Sequence, residues 1–316
     1  MADAQRVDRA RILAWLQDYG VYIAVGALLL VNALITPNFF SVANIQTQAV
    51  QVAPVVIVAL GMALVIGTEG VDLSVGSSMA LAAAVLPLYL GYGAGVAIAV
   101  ALAAGAGAGL VNGALVAFVG IQPILATLAL LVGGRGLALV VADGQLKQIE
   151  NPALLSLGAE DIAGIPILVA FALVLTLGVA FLVKKTTFGR HLVAVGDNRV
   201  ASQLAGLPVG RVLVGVYVLS GLFAALAGVL ASARLTASDP SSIGNLIELS
   251  AITSVVVGGT PLSGGSIRVV GTVMGALLMQ LLRATLIKHD LPDSAGQMTQ
   301  AVIIVLAVYL TRERAT

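Results

Sequence analysis

The sequence predicts an all-α integral membrane protein, a polytopic bundle of eight to ten transmembrane helices with broken helices and a cytoplasmic coupling helix. Three observations predict it: charge is scarce, apolar runs reach membrane length, and the runs are rich in closely spaced small residues. Charged residues are 10% of the 316 and hydrophobic ones 59%, whereas a water-facing surface needs about a quarter charged. The mean hydropathy is +1.06. Only lipid can cover such a chain.

Taken in order, a bilayer core of roughly 30 Å asks for about 20 apolar residues as helix. The runs fall at 21–35, 48–67, 75–92, 94–118, 121–142, 163–183, 212–232, 246–259, 269–287 and 297–310. Residues 1–20 are polar and of mixed charge, and no small-residue cleavage site closes the run that follows. The first span is therefore expected to be retained behind a short N-terminal segment. Arg6, Arg9, Arg11, Lys184, Lys185, Arg190, Arg199, Arg211, Arg268, Arg312 and Arg314 fall on one side of the layout. Lys147, Arg234, Arg283 and Lys288 fall on the other, and Arg135 lies within a span. Cations gather on the cytoplasmic side, so both termini are expected there.

Within the spans, Gly105, Gly109 and Gly113 recur every four residues. Such a face lets helices approach closely in lipid, where the hydrophobic effect cannot drive them together. Two stretches break the apolar pattern, VIGTEGVDLSVGSSM (65–79) and VVVGGTPLSGGSIRVVG (255–271). Each carries the string L-S-x-G-S, at 73–77 and 262–266, between two apolar runs. The shared string in a shared place predicts an internal duplication, a common construction in transporters. Glu69, Asp72, Ser74, Gly76, Ser263, Gly264 and Gly265 are therefore candidates for two turns facing each other as a cytoplasmic gate. Ser74 and Ser263 are expected to cap the helices that follow.

Polar side chains inside spans cost free energy unless they pair or face the bundle interior. Gln51, Asn112, Gln122, Arg135, Asn245 and Glu248 are the pathway-lining candidates, with Gln46, Gln48 and Gln280 of the same kind. Amides and hydroxyls suit a polyol better than an ion. An ion-coupled secondary transporter of a small polar solute, the alternative reading, would call for several deep carboxylates or histidines. No metal site is expected, since cysteine is absent and the histidines are His191 and His289. No phosphate loop G-x-x-x-x-G-K-[ST] and no H-E-x-x-H is present, so no catalytic residues are assigned.

The longest cytoplasmic segment is KKTTFGRHLVAVGDNRVASQLAGLPVGRV (184–212). Asn198 is placed to cap a short helix through Leu204, and Gly206 with Pro208 to end it. A short helix held between two spans is a device for passing force from a soluble partner into the membrane.

At these residues the chain resembles the permease subunits of ribose- and galactofuranose-type ATP-binding-cassette sugar importers, the branched sugar-permease family. The matching strings are GMALVIGTEGVDLSVGSSMALAAA (61–84), GLVNGALVAFVGIQPILATLALLVGGRGLAL (109–139), FGRHLVAVGDNRVASQLAGL (188–207), VYVLSGLFAALAGVLASAR (216–234) and ELSAITSVVVGGTPLSGGSIRVVGTVMGALLMQ (248–280). The resemblance covers the chain from about residue 20 to the end, and residues 1–316 read as one permease domain with a coupling loop at 184–211. The resemblance implies that Gly196, Asn198, Arg199, Ala201, Ser202, Leu204 and Gly206 dock on an ATPase subunit. It departs at Ser202, where relatives often carry alanine, and at Val200, where the general importer motif has glutamate. It departs again at Glu69, where the family usually has glycine. Also implied are a periplasmic sugar-binding protein and a second permease copy or sister permease. ATP and Mg belong to the partner ATPase, with no cofactor in this chain. The implied function is translocation of a pentose or furanose-type monosaccharide across the bacterial inner membrane.

Overall fold

The computed structural model describes the backbone of residues 2–312 and the side chains of 19–292 and 294–306. The expected all-α polytopic bundle is what forms. Its helices are α1 (Ala2–Ile35), α2 (Val42–Ile66), α3 (Val75–Tyr89), α4 (Ala94–Ala114), α5 (Pro123–Val141), α6 (Pro152–Ala159) and α7 (Ile167–Lys185). They continue with α8 (Thr187–Asp197), α9 (Arg199–Leu204), α10 (Val209–Leu235), α11 (Ile247–Val257), α12 (Val269–Lys288) and α13 (Asp293–Arg312). A 3-10 turn, Leu90–Tyr92, extends α3, and a π turn, Leu115–Val119, extends α4. Four two-residue strands form two antiparallel pairs, β1 (Lys147–Gln148) with β4 (Ala237–Ser238) and β2 (Asp161–Ile162) with β3 (Ile165–Pro166).

Among the described residues seven helices, counting the two extensions, are long and apolar enough to cross a membrane alone: α2, α3, α4, α5, α7, α10 and α12. Shorter apolar stretches lie at Tyr19–Ile35, Ile247–Val257 and Ser294–Leu306. Each of the ten runs read from the sequence thus has its helix, but they are not ten equal spans. With 11 residues, α11 covers about 16 Å, half a hydrocarbon core. Helix α1 begins at Ala2, so the polar N-terminal segment and the first apolar run form one helix.

Helices α2 and α10 form the centre. From Val56 to Thr68 every residue of α2 and its exit is buried, as a helix apolar on all sides requires. Gly105, Gly109 and Gly113 of α4 lie against the backbone of α10 at Gly221, Tyr217 and Val214, where any added Cβ would collide. The small-residue face is therefore a packing face. Outer helices show apolar side chains to the membrane instead, as α7 does with Leu173, Val174, Leu177 and Phe181. At the end away from α8 and α9, Asn32 of α1 donates to Thr285 of α12 at 2.8 Å, and β1 with β4 and α6 close the bundle.

Candidate functional site: the coupling helices, the paired turns and an amide-lined cavity

Helix α7 stops at Lys185, and Thr186 turns the chain by accepting the Gly189 N–H on its hydroxyl at 3.1 Å. The amphipathic α8 follows, with Leu192, Val195 and Gly196 buried. Asn198 then caps α9 by accepting the Ala201 N–H at 2.8 Å. The helix ends at Gly206, whose φ of 77° is the left-handed conformation glycine supplies. There the Leu207 N–H returns to the Ser202 carbonyl at 3.0 Å, the closing bond of a Schellman cap. The Ser202 hydroxyl donates to the Ala194 carbonyl at 2.9 Å, fastening α9 onto α8. Of the residues assigned to docking, Asn198, Arg199, Ala201, Leu204 and Gly206 are exposed together, while Gly196 and Ser202 are buried on the bundle side. Val200 and Leu204, 69% and 85% exposed, stand one helical turn apart and add an apolar ridge to this face.

Gly196 explains how α8 is seated. The Gly265 N–H donates to the Gly67 carbonyl at 3.2 Å, joining the turn after α2 to the turn before α12. A Cβ on Gly196 would drive into the Gly67 carbonyl and crowd the Gly265 nitrogen. One on Gly264 would meet the Gly196 carbonyl and the Glu69 nitrogen. Three separate backbone segments thus touch at one point, each without a side chain in the way. Glu69 is exposed beside it with φ 63°.

The candidate gate residues divide into two groups. Glu69, Gly264 and Gly265 meet at this junction, with the exposed Ser263 alongside. Asp72, Ser74 and Gly76 do not, because the chain folds back into the bundle after Gly70. Asp72 is buried, accepting the Ser74 hydroxyl at 2.6 Å and the Ser220 hydroxyl of α10 at 2.7 Å. Asn112 of α4 donates to the Ser74 hydroxyl at 2.8 Å. These bonds moor the segment to α4 and α10.

The capping expectation is corrected for both serines, for a different reason at each. Ser74 makes no side-chain cap bond, its hydroxyl being committed to Asp72 and Asn112. Ser263 lies too far ahead of α12, which begins at Val269, and Thr260 takes the Arg268 N–H at 2.9 Å instead. The two L-S-x-G-S strings therefore share a place but not a conformation. The first runs into α3 at Val75, whereas the second lies wholly within its turn.

The pathway-lining candidates scatter similarly. Asn112 belongs to the mooring just described, and Gln122 sits exposed at the start of α5. Arg135 donates from one guanidinium nitrogen to the carbonyls of Pro240 and Ile243, each at 2.7 Å. It thereby pins the irregular segment that leads into α11. Glu248, in the first turn of α11, is buried against Gly76, with the Arg135 charge acting on it.

Gln51 and Asn245 alone among the candidates reach a different feature, a cavity of about 430 Å³ bounded by α2, α11, α12 and α13. Its polar lining is Asn245, Ser250, Gln280, Arg283, Gln297 and Gln300, set among apolar residues such as Leu246, Met279 and Ile304. Gln51 joins it through Gln280, whose amide donates to Gln48 at 2.8 Å and to Gln51 at 2.7 Å. Sequence reasoning flagged Gln48 and Gln280 as polar within spans but missed Ser250, Gln297 and Gln300. The three-residue spacing of Gln297 and Gln300 at the head of an apolar run was the available signal. Among the described residues no group of three or more His, Cys, Asp or Glu could hold a metal.

The family described as branched-chain amino acid transport system / permease component matches residues 44–308. The chain is 34% identical to the galactofuranose transporter permease protein of Escherichia coli (strain K12), over 96% of this chain and 92% of that one. It is 37% identical to the ribose import permease protein of the same strain, over 95% of each. With that strain's L-arabinose transport system permease protein the identity is 32%, over 93% of this chain and 90% of the relative. No solved structure matches it.

Proposed function

The chain belongs to the family of branched-chain amino acid transport system permease components, and we propose on that footing that it is the membrane-spanning permease subunit of an ATP-driven sugar importer. The observation that carries this reading is the seating of α8 and α9. They expose a docking surface on one side, while on the other Gly196 touches both turns. A partner that moves α9 therefore moves the Gly67 and Gly265 turns together, because neither can slide past Gly196. ATP binding to a cytoplasmic ATPase would supply that movement, and the turns would open or close the inner end of the pathway. ATP and Mg reside on that subunit, and this chain carries out no hydrolysis.

The chain is read as a single permease domain in the bacterial inner membrane with both termini cytoplasmic, from the side on which its cations gather. A periplasmic sugar-binding protein delivers substrate to the opposite mouth, near 36–46, 143–162, 233–246 and 288–296. Each chain supplies half a pathway, completed by a second copy or a sister permease. The family description speaks of amino acids, whereas the relatives cited are named for sugars. Amides and Ser250 share the cavity wall with Arg283, and among the described residues no group of metal-type carboxylates is found, which supports a hydroxylated solute, a pentose or furanose-type sugar. An ion-coupled mechanism could use Asp72 only by breaking the bonds that hold 67–74 in place.

Co-purification tests the importer reading. Gly206 has open space around it and φ 77°, so Gly206→Arg strains the end of α9 without entering the spans. The wild-type chain should retain its ATPase through purification and Gly206→Arg should lose it. A folded wild-type chain that never holds an ATPase would end the proposal.

A further inference from the structure

The amide-lined cavity lies where lipid cannot satisfy it. Gln280 is 11 residues into α12 from Val269, and Gln51 is nine residues into α2 from Val42. At 1.5 Å per residue both stand about 14–16 Å from their helix ends, near the middle of the hydrocarbon core. Gln51 is nonetheless exposed, and so is Asn245 at the mouth. Acyl chains offer these amides no hydrogen bonds, so the face must meet water or another chain.

The half-length of α11 points the same way. Because it reaches only halfway across, the irregular backbone before it, ending at Leu246 with φ 58°, stands at membrane depth. Non-helical backbone is tolerated there only where protein buries it or a wet cavity solvates it. Part of this segment is buried and pinned by Arg135. Its last two residues, Asn245 and Leu246, open on the cavity.

We propose that this cavity is the mid-membrane station of the importer, where the permease hydrogen-bonds a neutral polyhydroxylated sugar through Gln51, Gln280, Gln300, Ser250 and Asn245. The proposal rests on the importer reading and locates its substrate. The chemistry fits a polyol. Each amide offers donors and an acceptor, and each hydroxyl does both, as a sugar hydroxyl does. The volume of about 430 Å³ falls within the 300–1,000 Å³ typical of small-molecule sites. The internal bonds of Gln300 are also exchangeable. Gln300 reaches Ser250 and Thr253 only at 3.4 Å, long enough for an incoming hydroxyl to replace it.

The chain contains no cysteine, so single cysteines report water directly. Ser250→Cys and Ala301→Cys, both on the cavity wall, would be treated with a membrane-impermeant, thiolate-selective methanethiosulfonate in vesicles holding the permease with its ATPase. Leu177→Cys, 71% exposed on α7, serves as the lipid-facing control. Both cavity cysteines should react and the control should not. In parallel, Gln280→Leu should lower uptake of whichever of labelled D-ribose, L-arabinose and D-fructose the wild type imports by about tenfold, the scale of one unmet polar contact. Retention of the ATPase through purification shows that the variant folds.

Cavity cysteines as inert as the control, or undiminished uptake by Gln280→Leu, would overturn the station while leaving the importer standing. Reactive cysteines in a chain that retains no ATPase and imports no sugar would overturn it by removing its premise.

Discussion

Glu69 holds a backbone conformation that suits glycine. Its φ is 63° and its side chain is exposed at the junction of α8 with the two turns. A non-glycine residue in the left-handed region costs about 1–2 kcal/mol. Glycine would return about 0.4–1 kcal/mol of that through a freer unfolded chain. Glu69→Gly is therefore expected to stabilise the protein by a fraction of a kcal/mol up to about 1, seen as a higher unfolding midpoint in detergent. A lower midpoint would mean the carboxylate has a partner that matters. The sequence made Glu69 visible as a charge between two apolar runs and as a departure from a family pattern; the strain depends on φ, which residue identity does not disclose. Asp72 shows the same limit, since Ser220, which holds it, lies 148 positions away.

Among the elements, the long helices were legible because 20 apolar residues in a row have few alternatives in lipid. Helix α9 was legible because Asn198 and Gly206 are strong local stop and start signals. Helix α8 was not, as its glycines and mixed polar residues resemble a loop until Leu192 and Val195 find the bundle. The half-span α11 read as a short span because hydropathy carries no information on depth. Its entry depends on Arg135, whose bonds to Pro240 and Ile243 hold the preceding loop. Charged hydrogen bonds contribute about 1.5–3 kcal/mol each where partly buried. Arg135→Met should then destabilise the chain by about 3 kcal/mol and make the 236–246 segment more sensitive to protease. Unchanged melting and cleavage would show that the loop is held by its packing alone.

For the whole molecule, the junction at Gly67, Gly196 and Gly265 matters more than any single contact, because it ties the near end of the central α2 and the entry to α12 to the exposed coupling helices. Gly196→Ala places a methyl group between backbone atoms that cannot retreat. The exposed face of α9 is left intact, so the ATPase should still co-purify and hydrolyse ATP while sugar uptake falls to a small fraction of wild type. Normal uptake would move force transmission elsewhere, and loss of the ATPase would show that the substitution damages α8 itself. The overall architecture could be read from composition and periodicity. The way distant stretches converge could not, since residues 67, 196 and 265 share neither a helix nor a periodic pattern.

That convergence also shapes how this sequence can drift over evolutionary time. Ordinary buried contacts tolerate exchange, because one side chain can shrink when its neighbour grows. At Gly196 the contacting groups are main-chain atoms, which no substitution can shrink. A change at Gly196 therefore has no compensating partner within reach, and relief would require displacing two turns at once. Descendants of this chain can vary the apolar faces of α5 and α7 freely, while this point remains closed to stepwise change.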